Sequence, residues 1–191
     1  MDSKLDFSKL DFDGVIKPTL DGLLASSGNL AVAISMHPAV MFMADGGELD
    51  PETGKLSSPA EPLDQLAQRF DYVLAEADGS KRLPLKAHAP WEPVVPAGTA
   101  NVIWLVGASG LSKPINEAVH RPELFCERCG CEPTDTATPE RVAMVLNAEL
   151  RMLNLNNARI MLNQVDTLSD PTMADRFEAA LNRPLIATSL K

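Results

Sequence analysis

Apolar residues recur along this chain with two periods. Leu63, Leu66, Ala67 and Phe70 keep the 3, 4 and 7 spacing of one helix face, so residues 62–70 read as a helix. Residues 72–75, Tyr-Val-Leu-Ala, follow as a short run of strand formers bounded by charge. Residues 101–106 and 159–162 are two further strands of the same kind, and residues 184–187 a last short one. Thr138 followed by Pro139 marks a helix start, and Val142, Val145, Leu146, Leu150 and Leu153 form its inner stripe. Asp170 and Pro171 open another helix that runs to Leu181. Residues 19–25 and 115–119 read as short helices, and residues 88–96, with three prolines, as irregular extended chain. Two apolar runs, residues 30–34 and 39–44, flank Pro38; a hairpin and two separate strands both fit them. The order strand, helix, strand, helix, strand predicts an α/β fold, a mostly parallel sheet with helices on both faces. Neither an internal repeat nor a low-complexity linker divides the sequence, so residues 1–191 are expected to form a single domain.

Charge narrows the function. Seventeen Lys and Arg face 26 Asp and Glu, a net charge of −9. That balance argues against a nucleic-acid binder or a membrane-surface binder. Apolar runs fall short of the roughly 20 residues of a membrane span, and residues 1–13 are acidic rather than signal-like. The three cysteines sit in one short segment, which suits reduced thiols in the cytoplasm.

Against this acidic background the cations cluster. Glu76, Asp78, Ser80, Lys81, Arg82, Lys86 and His88 follow the strand at residues 72–75 within thirteen positions. Ligands in open α/β sheets bind beyond the carboxyl ends of strands. Two carboxylates, a hydroxyl and several cations at such a place suit a metal and an anion. A second constellation closes the strand at residues 159–162. Asn163-Gln164-Val165-Asp166 matches the N-K-x-D base-reading signature of P-loop GTPases, with Gln in place of Lys. A carboxylate at Asp166 can accept the two N–H groups of a guanine edge. Asn163 would tie neighbouring loops, and a backbone N–H within Ala187-Thr188-Ser189 would meet the guanine oxygen. Residues 107–110, Gly-Ala-Ser-Gly, read first as a tight turn. Cys126, Cys129 and Cys131 lie near His120, but their C-x-x-C-x-C spacing is unlike a zinc knuckle, so ordinary thiols and no zinc are expected. The chain contains neither G-x-x-x-x-G-K-[ST] nor G-x-G-x-x-G.

Several of these pieces run in a recognisable order. They are Gly54-Lys55-Leu56, the block at residues 71–88, Glu92-Pro93 with Pro96, Gly107, His120-Arg121, and Leu162 through Asp166. Together they resemble the accessory proteins of selenium-dependent molybdenum hydroxylases of the YqeC type. The resemblance implies a P-loop NTPase-like fold and a cytoplasmic role in maturing such hydroxylases, its client enzymes. Proteins of this kind carry an N-terminal G-x-G-G-K-T-T loop that these 191 residues lack. The expected domain is therefore P-loop NTPase-like but without the P-loop strand and helix, N-terminally truncated. In the intact family protein Glu76 and Asp78 would hold Mg²⁺ with GTP or ATP. Ser80, Lys81 and Lys86 would face the phosphates, and Asn163 and Asp166 the base. An alternative is a non-catalytic module that binds the molybdopterin cofactor or the hydroxylase. The resemblance assigns no catalytic residue. Residues 1–191 alone are expected to hydrolyse no nucleotide and to self-associate as homo-oligomers.

Overall fold

The computed structural model describes residues 31–36, 39–44, 65, 68, 72–75 and 77–189. Two compact units make up the chain, Met1–Gly79 and Ser80–Lys191. No helix among the described residues is long and apolar enough to cross a membrane.

In the first unit, β1 (Ala31–Met36), β2 (Ala39–Ala44) and β3 (Tyr72–Ala75) form a three-stranded sheet in the order β2-β1-β3. Both pairings are antiparallel, with Met36 opposite Ala39 and Ile34 opposite Tyr72. The two runs flanking Pro38 are thus hairpin neighbours. Only two residues separate them, and only an antiparallel pair can be joined by so short a link. The strand Tyr72–Ala75 forms as read, but against β1 in an antiparallel sheet. Of the helix read at residues 62–70, Gln65 and Gln68 are helical and exposed. Its apolar stripe, the helix read at residues 19–25, and Glu76 lie outside the described residues.

The second unit carries the parallel sheets and the helices of the α/β class. β4 (Leu85–Lys86) pairs in parallel with β6 (Val119–His120). β5 (Ile103–Gly107), β7 (Arg159–Asn163) and β8 (Leu185–Ala187) form a parallel sheet in the order β5-β7-β8. Its helices are α1 (Ile115–Ala118), α2 (Pro122–Cys129), α3 (Pro139–Met152) and α4 (Thr172–Leu181). Trp104, Val106, Ile160 and Leu162 of the sheet pack with Val142, Val145, Leu146 and Leu150 of α3 and with Phe177 and Leu181 of α4. The alternation along β5 leaves Ile103 and Leu105 exposed on its other face.

Local chemistry sets the ends of these helices. The Thr138 hydroxyl accepts the Arg141 N–H at 3.3 Å, and Pro139 fills the first helical position. The Asp170 carboxylate accepts the Thr172 N–H at 3.0 Å where α4 begins. A close approach positions the functional region. The Gly107 N–H donates to the Pro84 carbonyl at 2.9 Å, and a Cβ on Gly107 would lie 2.8 Å from Pro84 Cβ. Glycine at the carboxyl end of β5 therefore lets the segment leading into β4 lie against that end.

Candidate anion site

The site starts from a turn. Ser80 Oγ donates to the Leu83 carbonyl at 2.7 Å, and the Leu83 N–H donates back to the Ser80 carbonyl at 3.0 Å. Lys81 and Arg82 both take the left-handed backbone conformation, at φ 52° and 64°, and both side chains are exposed. Leu85 then plugs the core, and register places Lys86 opposite His120. Arg121 follows His120, again left-handed at φ 65°, and starts α2. A further turn, closed by the Glu92 N–H on the Ala89 carbonyl, returns Glu92 to the same place.

Glu92 braces the cluster. Its carboxylate receives Lys86 Nζ at 3.0 Å and both terminal nitrogens of Arg121, one of them at 2.9 Å. This fork on a carboxylate is the strong, directional geometry of arginine. Burial by itself would raise the Glu92 carboxyl. The hydrogen bonds and charges of Arg121 and Lys86 outweigh that and hold it down at about 2. The same cations act against a charge on His120. Burial lowers its pKa, and the charges of Arg121, Lys86 and Lys81 lower it further, with Glu92 opposing them. Three fixed cations against one carboxylate leave a net positive field at this imidazole. An anion would complete the charge balance.

The Lys86 side chain is 6% exposed and that of Arg121 25% exposed. Arg121 and the exposed Lys81 therefore offer the accessible charge, while Lys86 supplies field from behind. Deeper still, the buried Glu149 carboxylate accepts the His88 N–H at 2.9 Å, meets His88 Nδ1 at 2.7 Å, and pairs with Arg128. Arg128 also donates to the His88 carbonyl at 2.6 Å, and the His88 ring stands edge-on to Trp104 with centroids 4.5 Å apart. This network locks the chain between Lys86 and Glu92.

The carboxyl ends of the parallel strands form the second part. Asn163 ends β7 half-buried, and Asp166 lies exposed in the single turn of 3-10 helix Val165–Thr167. The Val165 N–H donates to the Thr188 carbonyl at 3.2 Å, and the Asp166 N–H to Ser189 Oγ at 3.3 Å. Ser109 Oγ, in the loop after β5, donates to Gln164 Oε1 at 2.7 Å. Loops after β5, β7 and β8 are thereby tied together, with Gln164 as a link. Pro84 and Leu85 sit against Gly107 and Gly110 of that same β5 loop, so it joins the cation turn to the Asn163–Asp166 turn.

The sequence-predicted residues separate as follows. Ser80, Lys81, Lys86 and His88 belong to one segment of the second unit, with Ser80 closing a turn and Lys86 bound to Glu92. Asp78 is half-buried near the end of the first unit, and Glu76 lies outside the described residues. Among the described residues no group of three or more His, Cys, Asp and Glu is placed to hold a metal ion. Sequence reasoning gave no role to Glu92, Arg121, Arg128 or Glu149. Glu149 had a signal: it lies seven residues after Val142 and three after Leu146, a charged residue inside an apolar stripe. Arg128 had none in its local pattern. A groove of about 540 Å³, lined by Asn156, Arg159, Ile160, Arg183 and Pro184 among others, opens at the amino-terminal ends of β7 and β8. It contains none of these residues, so charge rather than concavity marks the candidate site.

Residues 29–123 match the YqeC protein family, about half of the chain, and include Lys81, Lys86, Glu92, His120 and Arg121. The chain is 39% identical over 79 residues to a protein of Escherichia coli (strain K12) described as uncharacterized protein YqeC. That match covers 40% of this chain and 31% of the relative, so the chain spans about a third of the relative's length. No solved structure matches. Through the segment at residues 29–123, which holds the braced cations, this chain belongs to the YqeC family.

Proposed function

We propose that this chain binds a phosphate-bearing ligand at the Lys81, Lys86, His120 and Arg121 cluster. In this reading it serves in the cytoplasm as an accessory factor in maturing selenium-dependent molybdenum hydroxylases. The observation that carries the ligand class is the net positive field around His120 in an otherwise acidic chain. The maturation role rests on the resemblance of the block at residues 71–88 and its companions. The first ligand to consider is a magnesium nucleotide, GTP or ATP. Glu76 and Asp78 would serve the metal, Ser80, Lys81 and Lys86 the phosphates, and Asn163 with Asp166 the base. The hydroxylase client is the partner in this scheme, and a second copy of the chain is another.

One observation favours a second reading, a carrier of molybdopterin. Lys86 is enclosed, and both it and Arg121 are bonded to Glu92, so the accessible charge suits one phosphate group better than a triphosphate. Calorimetry with GTP, ATP, GMP and a phosphate-bearing pterin, with and without Mg²⁺, distinguishes the two. Arg121→Ala and Lys81→Ala should each weaken binding about tenfold or more, at roughly 1.5–3 kcal/mol for a charge-assisted contact. For a nucleotide, Asp166→Asn should lose the guanine preference at a cost of about 1–3 kcal/mol. A bound phosphate would favour protonated His120, so affinity should rise as pH falls below 6.5. Unchanged affinity in both cation variants, or no binding by any of these ligands, refutes the proposal.

A further inference from the structure

The three cysteines converge. α2 ends at Cys129, and Gly130 takes a left-handed cap at φ 65° and ψ 46°. The Gly130 and Cys131 N–H groups both turn back to the Cys126 carbonyl, at 2.8 and 3.3 Å. That cap folds Cys131 over the last turn of the helix. Its Sγ lies 2.9 Å from Cys129 Sγ and 3.5 Å from Cys126 Sγ. Cys126 is buried, whereas Cys129 and Cys131 are partly exposed. A disulfide bond is about 2.05 Å long, so the nearer pair needs about one ångström of travel to close. Apart from its chain neighbours, nothing lies within 4 Å of where a Cβ on Gly130 would sit, so the connecting residue has room to adjust.

We propose that Cys129 and Cys131 form a reversible dithiol–disulfide couple, with Cys126 as the buried thiol packed behind them. The oxidant is a low-molecular-weight disulfide. Cys131, the sulfur in contact with both others, loses its proton and attacks that disulfide. One small thiol leaves and a mixed disulfide remains on Cys131. Cys129, on losing its proton, then attacks the Cys131 sulfur and releases the second small thiol. The protein gives up two electrons and two protons, and the oxidant becomes two thiols.

The surroundings set the rate. Burial raises the Cys129 thiol to about 12 and the Cys126 thiol to about 11, with the Cys131 contact adding to both. Thiolate at Cys129 is therefore scarce at neutral pH, so its attack on the mixed disulfide is the slow step. Oxidation should speed up with rising pH.

The test uses the reduced full chain in glutathione redox buffers, followed by alkylation, intact mass measurement and peptide mapping. The expected result is loss of two alkylation sites together, with two hydrogens lost in mass, mapped to Cys129 and Cys131. Cys126→Ser should keep this behaviour. Cys129→Ser should stop at the mixed disulfide on Cys131. A second probe needs no variant: phenylarsine oxide should bridge two thiols of each chain, releasing one water and protecting both from alkylation. Three thiols that alkylate independently at every redox poise would overturn the proposal. So would a bridge that uses Cys126, or a bridge between two chains.

Discussion

Glu149 is 1% exposed, yet it is a carboxylate inside the core. Replacing it with leucine keeps the apolar stripe of α3 and removes the carboxylate bonded to Arg128 and to the His88 N–H. Arg128, with a side chain 16% exposed, would then keep its charge largely out of water. Breaking a buried ion pair from one side costs about 3–5 kcal/mol. That is a large share of the roughly 5–15 kcal/mol that stabilises a typical domain. Glu149→Gln keeps an acceptor oxygen and loses the charge, so its cost should be smaller, about 1.5–3 kcal/mol. The double variant Glu149→Leu, Arg128→Met removes both charges and should recover part of the loss, with a coupling of about 0.5–3 kcal/mol. Urea unfolding followed by far-ultraviolet circular dichroism gives each difference. Two results would refute the reasoning. One is a cost below about 1 kcal/mol for Glu149→Leu. The other is a double variant as unstable as the sum of its parts.

The Glu92 carboxyl, ordinarily at 4.5, is held at about 2 in the folded chain. A folded pKa below the unfolded one stabilises above pH 4.5, and that stability is lost as pH falls from 4.5 towards 2. The full shift corresponds to about 3 kcal/mol; because solvent reaches Arg121, about 1–2 kcal/mol is expected. Acid titration should therefore unfold Glu92→Gln with a shallower pH dependence over that window, and identical acid profiles would count against the brace. Gly107→Ala would push a Cβ to within 2.8 Å of Pro84 Cβ and 2.9 Å of its Cα and carbonyl oxygen. A proline ring and backbone cannot rotate away, so the variant should lose about 1–3 kcal/mol in thermal unfolding. An unchanged melting temperature would show that the segment at Pro84 yields freely.

Much of the second unit was legible because its signals are local. Tyr72–Ala75 in the first unit, and β5, β7 and β8 in the second, announce themselves as apolar runs between turn residues. The Thr138–Pro139 start of α3 follows from one hydroxyl and one fixed φ. Its inner stripe follows from the 3.6-residue period alone. The cation-rich segment after β3 was visible as charge against an acidic background, and the C-x-x-C-x-C spacing as three clustered thiols, but the helix and the Gly130 cap that bring them together were not. Pairing was not legible, because hydrogen-bond partners between strands are chosen by tertiary packing. Thus β3 joins β1 in an antiparallel sheet, and the two-residue strands β4 and β6 exist only because each finds the other. The charge balance of the site was also hidden. Lys86 read as a phosphate ligand; the fold also brings it to Glu92 across a turn, and the same carboxylate receives Arg121 from the start of α2. Arg128 and Glu149 are 21 residues apart in the chain. Periodicity reports which way a side chain faces its own axis. Only the folded chain decides which charge it meets, because that contact depends on how separate elements pack.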